Sequence, residues 1–485
     1  MLVPKHNILS SEHLIACERT MLKFVDGKLN SKVGMEFKVW DWQIPELYGI
    51  VLGMFVKLGL KDTLGIRKSV MLDFIIDVEK GYYKTSYHSF YHAVDVVAVL
   101  YYMLKDLGAE SYLTSLDAIC LLIAGLCHDI GHVINARTNL AIKYNDQSVL
   151  ENHSCALTMD IITKHRIFRN IHTCSNEYLG CDPKEVDTIL RDLITKIILA
   201  TDMSFHFDLL ESLHNMIKST SPCSSEESGE EMDNVLLHAA DLSNTVRPWD
   251  ISKRWSDLVV EEFFHQGDLE KQNNLPVSPN MDRKKAHQCQ ISLGFGDFVV
   301  KPYFEAFASF LHQATIFLDI LAENRIYWDD MKNAPPQPPP TQLTPSSDDD
   351  DSSSSLDDNY SKGQRRVSLA AGLLIIPDDI QEKLRLMASQ RHTKNHKKLK
   401  RSLSGRSYSH HALLPAHPVS SDAITNSSST NSHYTNGKKS NNNHQKRLGR
   451  MRRSSSLDHN MIRQITSLCG TGDSQPEQRV VVAGS

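Results

Sequence analysis

The chain has 485 residues, and 53 Lys and Arg against 58 Asp and Glu leave a formal charge of −5. That balance excludes the broad basic footprint of a nucleic-acid-binding protein. Hydrophobic residues make up 41% and aromatic residues 7%, enough for a sizeable core but too lean for a chain folded from end to end.

In chain order, residues 1–80 read as the first helices of an all-α bundle. The stretches Val70–Tyr83, Asp95–Leu107, Leu116–Ile130, Cys155–His165 and Glu185–Ala200 all place apolar residues three and four apart, the period of a half-buried helix. Ser115 stands before Leu116 as a plausible N-cap. Residues 219–231 form a polar loop between helices. Residues 81–333 are expected to hold the working core. From residue 334 the composition turns to PPQPPP, SSDDDDSSSSLDD and Ser/Asn/His/Lys-rich sequence, which has too little apolar surface to offset the entropy of ordering. Residues 334–485 are therefore expected to be a disordered regulatory tail, interrupted by one apolar patch, Leu369–Ile376.

The longest apolar run, Ala118–Leu126, is about half of the ~18–20 residues a membrane helix needs. No basic region followed by an apolar stretch opens the chain, so secretion is not expected. Nine cysteines at irregular spacing, with no CxxC, suit a reduced, cytoplasmic protein.

Four places carry residues of chemical interest. His88 and His92 are four apart, a spacing that shares one face of a helix. His128 and Asp129 emerge from the end of a buried run, where an unpaired carboxylate costs several kcal/mol. Asp241 follows the apolar stretch ending at Ala240. Glu151-Asn152-His153 stands where a helix face should be apolar. His92, His128, Asp129 and Asp241 together make a closed ligand set, leaving His88 and His132 free nearby. Neutral imidazole and carboxylate suit Zn²⁺; carboxylate and water suit Mg²⁺ or Mn²⁺. Two such ions with a free histidine form a hydrolytic design for phosphoesters.

Seven motifs then fall in one order: YHSFYHAVDV (87–96), HDIGH (128–132), YNDQSVLENH (144–153), LATDM (199–203), HAADLSN (238–244), EEFFHQGD (261–268) and LGFGDFVVKP (293–302). In these the chain resembles the catalytic domain of the class I 3′,5′-cyclic nucleotide phosphodiesterases, a compact multi-helix bundle of the HD-domain type. The resemblance implies hydrolysis of a 3′,5′-cyclic nucleotide to the 5′-monophosphate. It implies Zn²⁺ on His92, His128, Asp129 and Asp241, with Asp129 bridging to Mg²⁺ or Mn²⁺, and His88 as proton donor. His132 would lie near the phosphate, and Glu151 and His153 would surround the ligands. Phe295 would stack on the purine opposite Val259, with Met203 and Asn244 lining the pocket.

Three departures stand out. Ser292 occupies the position of the family's purine-gripping glutamine, three residues before Phe295. Only Val133 separates HDIGH from Ile134, where the family has a longer loop. Ser89 replaces the commoner asparagine after His88. A catalytically weak nucleotide-binding scaffold of the same fold is thus the alternative. INARTNLAIKYND and LPVSPNMD are similar to the subgroup with cGMP-selective enzymes, HSFYHAVDV and RPWD to cAMP-degrading enzymes of social amoebae. Basic residues precede Ser368, Ser404 and Ser455, a pattern suited to a basophilic kinase. A cyclic-AMP-dependent kinase acting at Ser368 would suit cAMP as the favoured substrate over cGMP.

Overall fold

The computed structural model describes residues 2–29, 33–132, 139–145, 147–174, 181–218 and 226–333, all within the unit Met1–Ile375. The expected tail with Ser368, Ser404 and Ser455, the first part of the polar loop at 219–231 and the shortened stretch after His132 lie outside the described residues. Among the described residues the chain is all-helical, with no strand.

Helix α1 (Ser11–Val25) starts where the Ser10 hydroxyl accepts the His13 N–H. It packs on α2 (Ile44–Lys57), which in turn meets α4 (Lys68–Gly81) and α5 (Phe90–Lys105); α3 (Leu60–Leu64) is a single short turn between α2 and α4. Helix α6 (Ser115–Cys127) is the centre of the molecule. Its residues from Ala118 to Cys127 are all buried, and each Leu or Ile there contributes about 1.5–3 kcal/mol relative to exposure. The N-cap of α6 is Thr114 rather than Ser115: Thr114 Oγ1 accepts the Asp117 N–H (3.2 Å) and Asp117 accepts the Thr114 N–H (3.0 Å). Two orphan amides are satisfied reciprocally, which a cap at Ser115 does not achieve.

Gly125 sits where α6 crosses α5. A Cβ there would lie 2.6 Å from Leu100 Cδ1, so any larger residue makes the Leu100 side chain or the helix give way.

Three segments follow: α7 (Asn139–Lys143), α8 (Val149–His165) and α9 (Ile171–Cys174). Helix α10 (Pro183–Leu199), capped by Asp182, packs on α6 and α8. Helices α11 (His206–Lys218) and α12 (Glu226–Leu242) lead to the long α13 (Trp249–Gln272). Helix α14 (Gln288–Phe295) runs through a π-helical stretch, Gly296–Val300, into α15 (Lys301–Phe310), and α16 (Thr315–Asn333) closes the bundle.

One buried cation ties these layers together. Arg247, fully buried, donates to both Asp95 carboxylate oxygens (3.1 Å each) on α5. It also donates to the carbonyls of Met35 (2.7 Å) and Phe37 (2.6 Å). Asn324 of α16 donates to the Arg247 carbonyl at 2.8 Å. Asp95 lies three residues after His92 and Arg247 three after Asn244, so this clamp braces two elements of the site.

Candidate active site and metal centre

The four expected ligands converge from α5, the end of α6 and the end of α12. His92 Nε2 lies 3.0 Å from Asp241 Oδ1 and 3.7 Å from Asp129 Oδ2. His128 Nε2 lies 3.0 Å from Asp129 Oδ2 and 3.5 Å from Asp241 Oδ1. The other nitrogen of His128 faces the Gly125 carbonyl at 2.9 Å. Donating Nδ1–H there leaves a bare Nε2, buried and without a hydrogen-bond partner, turned toward two carboxylates. Lone pairs so arranged call for positive charge between them. The electrostatics point the same way: burial opposes charge, yet Asp129 and then Asp241 hold His128 well above its ordinary range, so without another cation the carboxylates draw a proton onto that Nε2. Burial likewise opposes ionisation of Asp241, yet His128 and His92 keep its carboxyl well below the usual range. Two imidazoles and two carboxylates fit a divalent cation. Among the described residues, His92, His128 and Asp241 form one ligating group, and His88, Asp129 and His132 a second.

His88 does not share a helix with His92. Helix α5 starts at Phe90, and the His88 and His92 rings stand at 89° with centroids 6.2 Å apart. Glu262 of α13 meets the chain just before this helix. Its Oε2 accepts the backbone N–H of Tyr87 (2.8 Å) and His88 (3.2 Å), while Oε1 binds His88 Nδ1. Burial pulls His88 down, but the Glu262 and Asp129 carboxylates outweigh it and lift His88 to about 9. Glu262 falls to about 2 against burial, chiefly through His88. His88 is therefore an imidazolium at neutral pH, with Nε2–H free of Glu262.

His132 stacks on His88, centroids 3.8 Å apart and planes 14° from parallel. Burial first, then the His88 charge, push His132 down to about 4, so it stays neutral. Gly131 between the two motif histidines has φ +72°, and a Cβ there would meet Leu157 Cδ1 at 2.4 Å and His153 Nε2 at 3.0 Å. His153 thus packs over Gly131. Glu151 is pushed up to about 8 by burial and then by Asp202, and Asp202 accepts the Ser148 hydroxyl at 2.7 Å.

Asn244 donates its amide to the Tyr87 hydroxyl, and the Tyr87 ring lies over His92 with centroids 4.6 Å apart. Met203, Val259 and Phe295 are partly buried against the core. Ser292 meets Ser256 of α13, hydroxyl to hydroxyl, at 2.9 Å. Gln288 donates to Ser256 (3.0 Å) and to Asp257 (2.7 Å).

Sequence reasoning left Glu262, Tyr87 and Ser256 without roles. For Glu262 a signal existed: Trp255, Val259 and Glu262 share one face of α13, and a carboxylate in a buried stripe needs a partner.

The comparisons with known proteins agree with this geometry. A family model for 3′5′-cyclic nucleotide phosphodiesterase matches residues 87–321. The chain is 34% identical over 304 residues to the 3′,5′-cyclic-nucleotide phosphodiesterase regA of Dictyostelium discoideum, covering 61% of this chain and 37% of that one. It is 32% identical over 304 residues to the high affinity cGMP-specific 3′,5′-cyclic phosphodiesterase 9A of Mus musculus, covering 61% and 55%. The solved phosphodiesterase domain of the RhoPDE fusion protein from Salpingoeca rosetta superposes with a TM-score of 0.54 at 28% identity, covering 63% of this chain and 98% of that one. The chain thus spans about a third to a half of the curated relatives and nearly all of the solved domain. Helices, ligand set and family match coincide, and the chain belongs to the class I 3′,5′-cyclic nucleotide phosphodiesterase family through its catalytic domain.

Proposed function

We propose that this chain hydrolyses a 3′,5′-cyclic nucleotide to the nucleoside 5′-monophosphate, with His92, His128, Asp129 and Asp241 holding Zn²⁺ in a tight site and Asp129 shared with Mg²⁺ or Mn²⁺ in a second. The observation that carries this reading is the His88–Glu262 pair beside two adjoining ligating groups, His92, His128 and Asp241 and His88, Asp129 and His132. The ions, when bound, would lower the pKa of a water and offset charge on the phosphate. The chain's residues do the rest. A water gives one proton to solvent, its oxygen adds at phosphorus, and the bond to the 3′ oxygen breaks, with His88 regaining its proton from solvent afterwards. His88 Nε2–H delivers the proton that this oxygen needs, and Glu262 steadies the ring through the transfer. Glu151, raised to about 8 by burial and then by Asp202, is held in its neutral, protonated form near neutrality.

On the base side, Ser256 and Ser292 stand close to the Val259 and Phe295 positions of their helices. A hydroxyl rotates, and can donate or accept. With Gln288 spent on Ser256 and Asp257, no fixed amide selects a purine edge. The cAMP preference expected from the tail motifs and from the resemblance to amoebal enzymes is accordingly widened to both purine nucleotides. The cGMP-specific name of the mouse relative supports that widening.

Steady-state hydrolysis of cAMP and cGMP with Mg²⁺ tests the proposal. Both nucleotides should turn over; His88→Ala and Asp129→Ala should each abolish turnover, and only Asp129→Ala should reduce bound metal. Retained turnover in both variants would overturn it. No turnover by the parent chain, with nucleotide still bound, would favour the scaffold alternative.

A further inference from the structure

The connection 273–287 between α13 and α14 holds the LPVSPNMD stretch (275–282), which the hydrolysis does not use. Its centre is a turn closed by the Met281 N–H on the Ser278 carbonyl (3.1 Å). Asn280 within it has φ +59°, a backbone region that asparagine enters more readily than most residues. Helix α13 grips both ends of this turn.

At one end stands Glu270, a buried carboxylate. Its Oε2 accepts the Ser278 backbone N–H at 2.6 Å, and its Oε1 accepts the Ser278 hydroxyl at 2.7 Å. Gln266 adds a donor to Oε1 at 3.3 Å. A backbone amide can only donate, so the direction of the Ser278 N–H bond is fixed.

At the other end is Gly267, three residues before Glu270 and on the same face of α13. A Cβ on Gly267 would stand 1.9 Å from the Met281 carbonyl oxygen and 2.7 Å from its carbon, and Met281 is buried. These are backbone atoms, which cannot swing aside as the end of a side chain can. Glycine inside a helix is unfavourable; here it lets the turn come this close.

Two ion pairs stand at the rim, Lys271 with Asp282 and Arg283 with Asp268, each at 2.8 Å. Both cations are exposed, and exposed pairs contribute little. The seating of the turn therefore depends on the buried contacts at Ser278 and Met281.

Past the turn the chain enters α14, whose Gln288 and Ser292 meet Ser256 of α13 and which ends at Phe295. In the pocket proposed above, the base lies between Val259 on α13 and Phe295 on α14. The gap between those residues follows from how α14 is seated on α13.

We propose that Glu270 is a positioning residue for nucleotide binding: with Gly267 it latches the 278–281 turn to α13 and so holds α14, with Phe295, at its distance from Val259. Glu262 lies on the same helix but bonds to a different segment, Tyr87-His88. The latch thus acts on binding and leaves His88 where it is.

Steady-state kinetics with each cyclic nucleotide test this, a readout that rests on the hydrolase reading above. Glu270→Ala leaves the Ser278 amide without its acceptor. Gly267→Ala favours the helix yet drives the turn off it. Both should raise KM about tenfold, the worth of one buried hydrogen bond, with kcat within about twofold of the parent's. Glu270→Gln keeps an acceptor for the amide, and the Ser278 hydroxyl can turn to accept from the new N–H. Its KM should lie near the parent's. Loss of folded protein alone would lower kcat per chain and leave KM unmoved. Unchanged KM in Glu270→Ala and Gly267→Ala, or a fall in kcat at constant KM, would overturn the proposal.

Hydrogen exchange of the full chain, read by mass spectrometry, needs no turnover. In the unaltered protein the 278–281 amides should be protected. In Glu270→Ala and Gly267→Ala, protection should fall both there and in α14. Fast exchange at 278–281 in the unaltered protein would overturn the latch even if the variants fail to fold. Protection lost in the turn but kept in α14 would overturn its hold on that helix. A parent that turns over no cyclic nucleotide yet shows the expected exchange would sink the hydrolase reading and support the latch.

Discussion

Glu262 accepts from the backbone amides of Tyr87 and His88 with one oxygen and holds the His88 ring with the other. One buried carboxylate therefore fixes both where the His88 ring stands and whether it carries its proton.

Glu262→Gln should lower kcat by about a hundredfold, within the range of acid–base catalysis. The proton on His88 is available below its pKa, so activity of the parent should fall as pH rises through about 9. In the variant that limb should move toward the ordinary histidine range. A pH–kcat profile unchanged in position would refute the pairing.

The same pair has a stability consequence with a definite sign. His88 is raised, so its contribution is complete below pH 6.5 and is lost as pH rises through about 9. Glu262 is lowered, so its contribution is present above pH 4.5 and is lost as pH falls through about 2. The contribution is largest between pH 4.5 and 6.5. Urea unfolding of the metal-free protein should show this maximum, and Glu262→Gln should flatten it.

Arg247→Met leaves Asp95 charged and alone in the core. The expected loss is about 3–5 kcal/mol of folding stability. Adding Asp95→Asn to that variant should recover part of it, because the orphaned charge is gone. Urea titrations of the two single variants and the double variant measure the coupling.

Gly131→Ala combines a φ of +72° with a Cβ 2.4 Å from Leu157 Cδ1. The expected cost is about 1–3 kcal/mol. Elemental analysis should also show weaker metal retention, since Asp129 and His132 flank the strained position. An alanine variant with parental melting temperature and parental metal content would contradict this account.

Ser292→Gln restores a fixed amide beside Phe295. The ratio of kcat/KM for cAMP to that for cGMP should move by about tenfold or more, because an oriented donor and acceptor discriminate where a rotor does not. An unchanged ratio would show that position 292 does not read the base.

The helices were legible where burial is one-sided or complete. Asp95–Leu107 and Leu116–Ile130 appear as α5 and α6 because their apolar spacing has no competing pattern. That His92, His128, Asp129 and Asp241 come together was legible for a related reason: His128-Asp129 follows a run too apolar to leave a carboxylate unpartnered. What stayed hidden depends on contacts between residues far apart in sequence. Nothing local shows that Glu262 reaches back to His88, so the i,i+4 spacing misplaced His88 on the helix of His92. Nothing local shows that Arg247 and Asp95, 152 residues apart, are buried as a pair. Thr114 lost the cap to Ser115 on paper because both are good caps, and only the reciprocal bond with Asp117 separates them.

The crossing at Gly125 has one more implication. Leu100 occupies the volume that a methyl group at Gly125 would need, and the helices that meet there carry His92 and His128. The separation of these two imidazoles is thus gauged by a residue that touches neither. Alanine at 125 would press on Leu100 at this crossing; where the helices part in response, the two imidazoles move apart, and metal titration should show preference tilting from smaller toward larger divalent cations with every side chain of the cluster unchanged.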